Sequence, residues 1–346
     1  MKKNILITAV GGRSVGSGIL HSLLRSSEEV SERWNVIAAD ADPFAWGLYK
    51  VKQKLILPLA NSSDYLNVLL KVVDEYSIHA IVPGSEIETE ILTKNRHLFS
   101  VPIIANDYSL MPLMMDKFYC NKIIKELGLP YIPTYSLYDL DLAESKFGFP
   151  LIIKPTEGTG GSKGVVIIES KENALSIIDS LKNKDKYCIQ PLIGSGDEEY
   201  TVGVLSDKEG VIIDSIVMKR KLIGLSLLDT KIINQKKVNI STGYSQGFFI
   251  KNKVIQSFCE NLAVSLKSKG PLNVQLRLWK NDIYIFEIHP RFSGTTTMRS
   301  DVGFNEVDVL LRNVLFNEKF SRLKYQYDVA VIRAFEHVIV PIKDML

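Results

Sequence analysis

The first hundred residues alternate short apolar runs with stretches of helical spacing, and few folds accept that alternation. Asn4-Ile5-Leu6-Ile7-Thr8-Ala9 is almost continuously apolar, as a parallel strand covered on both faces must be. A glycine-rich turn from Gly11 to Gly18 leads into a helix carrying Ile19, Leu20, Leu23 and Leu24 on one side. A second strand, Asn35 to Ala39, ends at Asp40. The spacing then predicts a helix over 63–76 and strands at 79–82 and 102–104. Strands alternating with helices imply an open parallel α/β sheet, whose ligands sit at the carboxyl ends of its strands. A helix from Lys117 to Leu127 stops at Gly128, with Pro130 beyond it. From about Phe149 the pattern is strand-rich. Strands start at Leu151, Val165, Tyr187, Tyr200 and Val211, with helices over 172–181, 254–267 and 305–315.

Composition excludes several functions. The chain has 346 residues, 46% hydrophobic and 23% charged, which is the make-up of a globular protein with room for two or three cores. Its 42 basic and 39 acidic residues leave a formal charge of +3, too even for a protein built to grip nucleic acid or an anionic membrane. Cys120, Cys188 and Cys259 lie far apart and suit reduced thiols better than a disulfide framework or a zinc site. The run Ile5 to Val10 is too short for a signal-peptide core, and no apolar run approaches the roughly 18 residues that span a bilayer. A cytoplasmic protein with neither nucleic-acid nor membrane partner is expected.

The most suggestive short segment is Phe286-Glu287-Ile288-His289-Pro290-Arg291. In an extended strand alternate side chains share a face, so Glu287, His289 and Arg291 should point into one pocket with Phe286 and Ile288 packed behind. With Gln275 on the neighbouring strand, the carboxylate suits a hard divalent cation, and the arginine suits the phosphate that the cation would bridge. An amphipathic strand with a solvated face accounts for the same letters, so other segments must decide.

Upstream, Leu151-Ile152-Ile153 runs into Lys154-Pro155, and Gly158-Thr159-Gly160-Gly161-Ser162-Lys163-Gly164 precedes another apolar strand. Glycines let successive amides close over phosphate oxygens, and a lysine at a strand end adds a point charge. This is not a P-loop, because a strand rather than a helix follows. Tyr187-Cys188-Ile189-Gln190-Pro191-Leu192-Ile193 reads as a strand leaving its sheet at a proline, able to border an adenine. Glu199 is an acceptor suited to a ribose diol. Each alone is an ordinary strand end or hairpin; their order carries the information. The N-terminal glycines with Asp40 also admit a nicotinamide-dinucleotide reading, though they fit G-x-G-x-x-G only loosely.

Lys154 with its glycine loop, Gln190-Pro191-Leu192-Ile193, Glu199-Tyr200-Thr201-Val202, Asn273-Val274-Gln275 and Glu287-Ile288-His289-Pro290-Arg291 together resemble the ATP-grasp enzymes. The resemblance is closest to the branch with single halves of the carbamoyl-phosphate synthase large subunit and the lysine ligase of pyrrolysine biosynthesis. It implies an α/β protein: an open parallel pre-ATP-grasp domain over 1–115, then a two-lobed α+β ATP-grasp domain over 116–346. The lid lobe would cover about 116–188 and the metal-binding lobe about 189–346. It further implies ATP contacts from Lys117, Lys154, Gly160, Gly161, Ser162, Gln190, Pro191, Leu192, Ile193, Glu199 and Gln275. Magnesium, with manganese as an alternative, would sit at Gln275, Glu287 and His289, and catalysis would fall to Arg291 and Lys154. His289 departs from the family's asparagine, and magnesium prefers oxygen to imidazole nitrogen.

The implied activity is ATP-dependent carboxylate–amine ligation through an acyl phosphate, with small-molecule partners and a homodimer left open. A single grasp unit without a glutaminase segment argues against complete carbamoyl-phosphate synthesis by this chain alone. Ser85, Glu86, Arg220, Ser293, Thr295 and Arg299 are expected to face the substrate. The competing class is a nucleotide-binding protein without ligation, which rests on His289 alone.

Overall fold

The computed structural model describes residues 2–12, 14–25, 28–157, 164–194, 196–233 and 236–345. Its first layer is a parallel sheet of β1 (Lys3–Ile7), β2 (Trp34–Asp40), β3 (Gln53–Ile56) and β4 (Ala80–Val82), in the order β3-β2-β1-β4. Helices α1 (Val15–Leu24), α2 (Glu28–Arg33), α3 (Tyr65–Glu75) and α4 (Glu86–Lys94) accompany it. Alternation along β1 divides the core: Ile5 and Ile7 pack with Ile19, Leu20 and Leu23 of α1, while Leu6 packs with Leu69, Val72 and Val73 of α3. The strand expected at 102–104 contributes only a parallel bridge from Ile103 to Ile81, since Pro102 has no amide to extend the ladder. Helix α4 was not anticipated. Its signal is Ser85, whose Oγ accepts from the Glu88 amide (3.2 Å) and donates to the Glu88 carboxylate (3.0 Å).

After α5 (Pro112–Met115) and α6 (Lys117–Glu126) comes a small antiparallel sheet. Its elements are β5 (Tyr135–Ser136), α7 (Leu140–Phe147), β6 (Leu151–Pro155), β7 (Val166–Ile168), α8 (Lys171–Ser180) and β8 (Tyr187–Pro191), with strand order β5-β8-β6-β7. Gly160, Gly161 and Ser162 lie outside the described residues. The remainder builds β9 (Glu199–Ser206), β10 (Ile212–Arg220), the hairpin β11 (Leu227–Ile233) and β12 (Lys236–Ser241), and β13 (Gly247–Ile250). Then follow α9 (Lys253–Ser265), β14 (Pro271–Trp279), β15 (Asp282–His289), α10 (Thr296–Asp301), α11 (Glu306–Phe316) and β16 (Val329–Val331). Six of these strands form one antiparallel sheet, β15-β14-β9-β10-β13-β16. One face buries Ile255, Cys259 and Leu262 of α9 against Val202, Val204 and Val274. The other shares a core with the first layer, joining Leu205, Ile216 and Phe249 to Ile5, Ile7 and Leu20. No described helix is long and apolar enough to cross a membrane.

The N-terminal glycines serve packing. A Cβ at Gly84 would lie 1.9 Å from the Thr8 carbonyl oxygen and 2.6 Å from Gly16 Cα, so β1, β4 and α1 meet backbone to backbone. Asp40, which the dinucleotide reading would need for a ribose, instead accepts from the amides of Gly11 (2.9 Å) and Asp42 (3.0 Å). Gly84→Ala should therefore destabilise the protein by about 1–3 kcal/mol, the usual cost of overpacking. The check is a lowered urea midpoint at constant slope; an unchanged midpoint would mean that the three segments spread freely here.

Candidate active site

Two lysines mark one wall of a cavity between the small sheet and the large one. Lys117 opens α6, where Asp116 caps the helix by accepting from the amides of Phe118 (2.8 Å) and Tyr119 (3.2 Å). The Lys117 amide donates to the Thr156 carbonyl (3.1 Å), which ties the helix start to the end of β6. Lys154 projects from β6 and is buried; that burial, reinforced by neighbouring Lys117, pushes its pKa down. Lys117 Nζ donates to the Glu157 carbonyl (3.3 Å). Beside β6, Gln190 of β8 stands opposite Ile152 and donates from Nε2 to Thr134 Oγ1 (2.8 Å). Pro191, Leu192 and Ile193 continue the same wall.

The facing wall is built by the register of three strands. Arg277 stands opposite Glu199; Thr201, Gln275 and Glu287 form a second row, and Gly203, Asn273 and His289 a third. A β-bulge interrupts β15: Gln275 pairs with Glu287, but Leu276 pairs with Ile285, leaving Phe286 over. The extra residue resets the alternation. Ile283, Ile285 and Ile288 enter the core, while Tyr284, Phe286, Glu287 and His289 all line the cavity. The expectation that Phe286 packs behind Glu287 is thereby corrected.

His289 links the carboxylates at the end of this wall. Its Nε2 lies 3.0 Å from Glu287 Oε2, and its Nδ1 lies 3.2 Å from Arg291 Nη2 and 3.4 Å from Glu86 Oε1. Arg291 also donates to Glu86 and, at 2.7 Å, to the Phe292 carbonyl. Burial opposes charge on Glu287, but hydrogen bonding to His289 and the field of both lysines hold its pKa down at about 2. At Glu86 burial is likewise outweighed, mainly by Arg291, and the carboxyl stays well below its ordinary range. Burial and Arg291 disfavour protonation of His289, yet its bonds to Glu287 and Glu86 prevail and raise its pKa.

Glu199 is almost wholly buried between two guanidiniums: Arg220 donates to Oε1, and Arg277 to Oε2 from Nε (3.2 Å) and Nη2 (2.8 Å). Oε2 thus accepts twice from Arg277, while Oε1 keeps a further lone pair. Arg277 was missed in the sequence, although its spacing from Gln275 puts it on the same strand face.

The expected substrate residues do not converge. Ser85 caps α4, and Glu86 is engaged by Arg291. Arg220 lines the cavity but is spent on Glu199 and Ser241. Ser293 and Thr295 hydroxyls bond to one another at 2.6 Å and are buried. Arg299, 1% exposed, donates to Glu306 (3.1 Å) and to Asn273 Oδ1 (2.6 Å), and its guanidinium occupies the space that a Cβ at Gly203 would take. The structure thus places Arg299 in a buried contact with Glu306 and Asn273.

The donor set suits a polyanion carried with a hard cation. Glu287 and Gln275 offer adjacent side-chain oxygens. No group of three His, Cys, Asp or Glu residues among those described could hold a metal unaided, so ligand oxygens would have to complete its shell. The buried Nε atoms of Arg220 and Arg291 meet no acceptor. A bound anion would satisfy them.

Two family models match: the PylC-like N-terminal domain over residues 5–104, and the ATP-grasp domain in the biosynthetic pathway with Ter operon over residues 196–335. These matches give the chain a PylC-like N-terminal domain followed by an ATP-grasp domain. Curated relatives include the carbamoyl phosphate synthase large chain of Pseudothermotoga lettingae, 24% identical over 339 residues, covering 94% of this chain and 29% of the relative. That of Clostridium botulinum is 24% identical over 291 residues, covering 81% and 26%. The chain spans less than a third of the length of these relatives. Among solved structures, N5-carboxyaminoimidazole ribonucleotide synthetase from Thermotoga maritima superimposes with a TM-score of 0.64 at 18% identity, covering 93% of this chain and 78% of the other. Biotin carboxylase from Campylobacter jejuni does so with a TM-score of 0.67 at 18% identity, covering 94% and 74%. These likenesses concern the fold.

Removing the Glu199 charge would strand two guanidiniums. Glu199→Gln should cost about 3–5 kcal/mol at neutral pH, as breaking a buried pair does. Against the opposition of burial, Arg220 and Arg277 lower the folded-state pKa of Glu199. Its contribution is therefore full above the unfolded carboxylate pKa of about 4.3 and is lost as pH falls through the lower folded value. Melting temperatures of wild type and variant should differ most near pH 7 and converge in acid; a gap that persists unchanged at low pH would contradict the ion-pair assignment.

Proposed function

We propose that the chain is an ATP-dependent carboxylate–amine ligase. The observation that carries the reading is the convergence of Lys117, Lys154, Gln275 and Glu287 on one cavity, with Arg291 adjoining through His289. In this reading residues 1–115 form the preceding α/β domain and 116–346 the grasp domain. Adenine lies along Gln190–Ile193, the ribose near Glu199, and the phosphates against Lys117 and Lys154, with the loop of Gly160, Gly161 and Ser162 as their cover. Glu287 and Gln275 would hold magnesium, which supplies charge neutralisation at the phosphate oxygens. The γ-phosphoryl group passes to a substrate carboxylate oxygen, giving ADP and an acyl phosphate. An amine then attacks the carbonyl carbon, phosphate leaves with the C–O electron pair, and the amine nitrogen loses a proton. Arg291 carries an Nε without an acceptor and is suited to the charge that develops on the moving phosphoryl oxygens. The acyl phosphate must be kept from water for the amine to compete.

ADP release that depends on added carboxylate, assayed over pairs of amino acids, small acids and amines, tests the reading. Release indifferent to any carboxylate would favour the alternative, a nucleotide-binding protein without ligation. That alternative draws on His289, which meets Glu287 through a hydrogen bond where a second oxygen ligand would be better matched to magnesium.

Lys154→Met separates a binding lysine from a structural one. Its buried charge is a cost to the free protein, so the variant should melt no lower than wild type. Affinity for a non-hydrolysable ATP analogue, measured by isothermal titration, should fall by about 1.5–3 kcal/mol. Unchanged affinity would remove Lys154 from the phosphate site.

His289→Asn should retain turnover and lower the magnesium concentration that gives half-maximal rate, because an amide oxygen suits the ion better than imidazole. Manganese, more tolerant of nitrogen, should support the wild type comparatively well. Loss of turnover at saturating magnesium would instead assign His289 a chemical role.

A further inference from the structure

Arg333 lies just beyond β16 and near Arg220 of the cavity wall, and has no acid of its own among the described residues. Its guanidinium sits over the Tyr244 ring, 5.2 Å from the centroid, and its Nη2 donates to the carbonyl of Gly294, three residues past Arg291. Its amide donates to Gln246 Oε1 (3.4 Å). Gly243 and Ser245, on either side of Tyr244, line the cavity, as does Arg220. Burial, partly countered by Tyr244 and reinforced by Arg220, lowers the Arg333 pKa. Arg220 and Arg277 share Glu199, while Arg333 pairs with no carboxylate among the described residues. The two guanidiniums that line the cavity thus share one acid, and Arg333 adds a third positive charge near Arg220. A half-buried guanidinium fixed by a ring and one carbonyl, with the rest of its fork unclaimed, is arranged for a planar anion. Nucleotide phosphates are met elsewhere, at Lys117 and Lys154.

We propose that Arg333 binds a carboxylate of the substrate pair other than the one that is phosphorylated, so that the acid or the amine partner carries a second carboxylate. The proposal rests on the ligase reading. It makes an amino acid or a dicarboxylic acid the substrate class, and excludes pairs in which a simple acid meets a simple amine.

The test measures ADP release by wild type, Arg333→Met and Arg333→Lys. The twenty common amino acids and succinate serve in turn as acid and as amine partner. Each active partner is then compared with its analogue lacking one carboxylate: butyrate for succinate, the corresponding amine for an amino acid. In the wild type, deleting that carboxylate from one partner should raise KM about tenfold or more, and which partner responds identifies the source. Arg333→Met, which keeps the apolar stem over Tyr244, should raise KM for the intact partner by a similar factor and become indifferent to the deletion. Arg333→Lys should recover part of the loss. A thermal melt of Arg333→Met above the assay temperature excludes unfolding as the cause. If Arg333→Met raises KM equally for intact and truncated partners, the inference fails while the ligase reading stands. If no pair stimulates ADP release by the wild type, both fail.

Discussion

The register of β9, β14 and β15 fixes the chemistry of this protein. Three cross-strand rows carry Glu199 with Arg277, then Thr201 with Gln275 and Glu287, then Gly203 with Asn273 and His289. A slip of one residue would turn Gln275 into the core and bring Val274 into the cavity. What prevents it is the opposite face, where Val202, Val204, Leu272, Val274 and Leu276 are buried with the apolar side of α9. The bulge at Phe286 then lets β15 serve both sides: isoleucines inward on each flank of it, and the carboxylate and imidazole outward. The third row is anchored from beyond the sheet. Arg299 fills the space over Gly203 and ties Asn273 to Glu306 at the start of α11, so a buried ion pair fixes position whatever its net contribution to stability.

Charge on the cavity walls is unbalanced. Lys117, Lys154, Arg220 and Arg277 line it, against the carboxylates of Glu199 and Glu287, with the Arg291–Glu86 pair and Arg333 beyond the lining. In a site sheltered from water such an excess is expensive to hold, and an anionic ligand offsets the expense on binding. The lowered pKa values of Lys154 and Arg333 and the unpartnered Nε atoms of Arg220 and Arg291 are four expressions of one condition. They also make binding and stability two sides of one equilibrium, since a ligand that meets those charges stabilises the folded chain by mass action.

Much of this was legible in the sequence because it depends on local pattern. Continuous apolar runs marked β1 and β2, and the alternation around Gln275 and Glu287 marked the cavity-facing side of β14 and β15. Lys117, Lys154, Gln190 and Glu199, read as a series, do reach one cavity. What escaped depends on partners distant in sequence. The bulge exists only in the pairing of β15 with β14, so strict alternation hid Phe286. Arg299 looked available until Glu306 and Gly203 were brought against it. Arg333 reaches Gly294 only because the chain after β16 crosses back toward the segment between β15 and α10. Helix α4 is a different case: its cap, Ser85 followed by Glu88, is present in the letters, where Ser85 and Glu86 pointed instead to a substrate.

That cap explains why the first layer matters to the site. An open parallel sheet gathers its binding groups at the carboxyl ends of its strands, and here the group delivered from β4 is Glu86, the first residue of α4. The helix terminus favours a negative charge at that position, and Arg291 holds the carboxyl ionised. Glu86 takes Nη2 of Arg291, the Phe292 carbonyl takes Nη1, and only Nε is left without an acceptor. The guanidinium is therefore oriented by two elements remote from each other in sequence, one on each side of the shared core. A carboxylate from the α/β layer thus takes one edge of Arg291 and sets its orientation. The first layer thus reaches the second through Glu86, which meets both Arg291 and His289, with no strand shared between them.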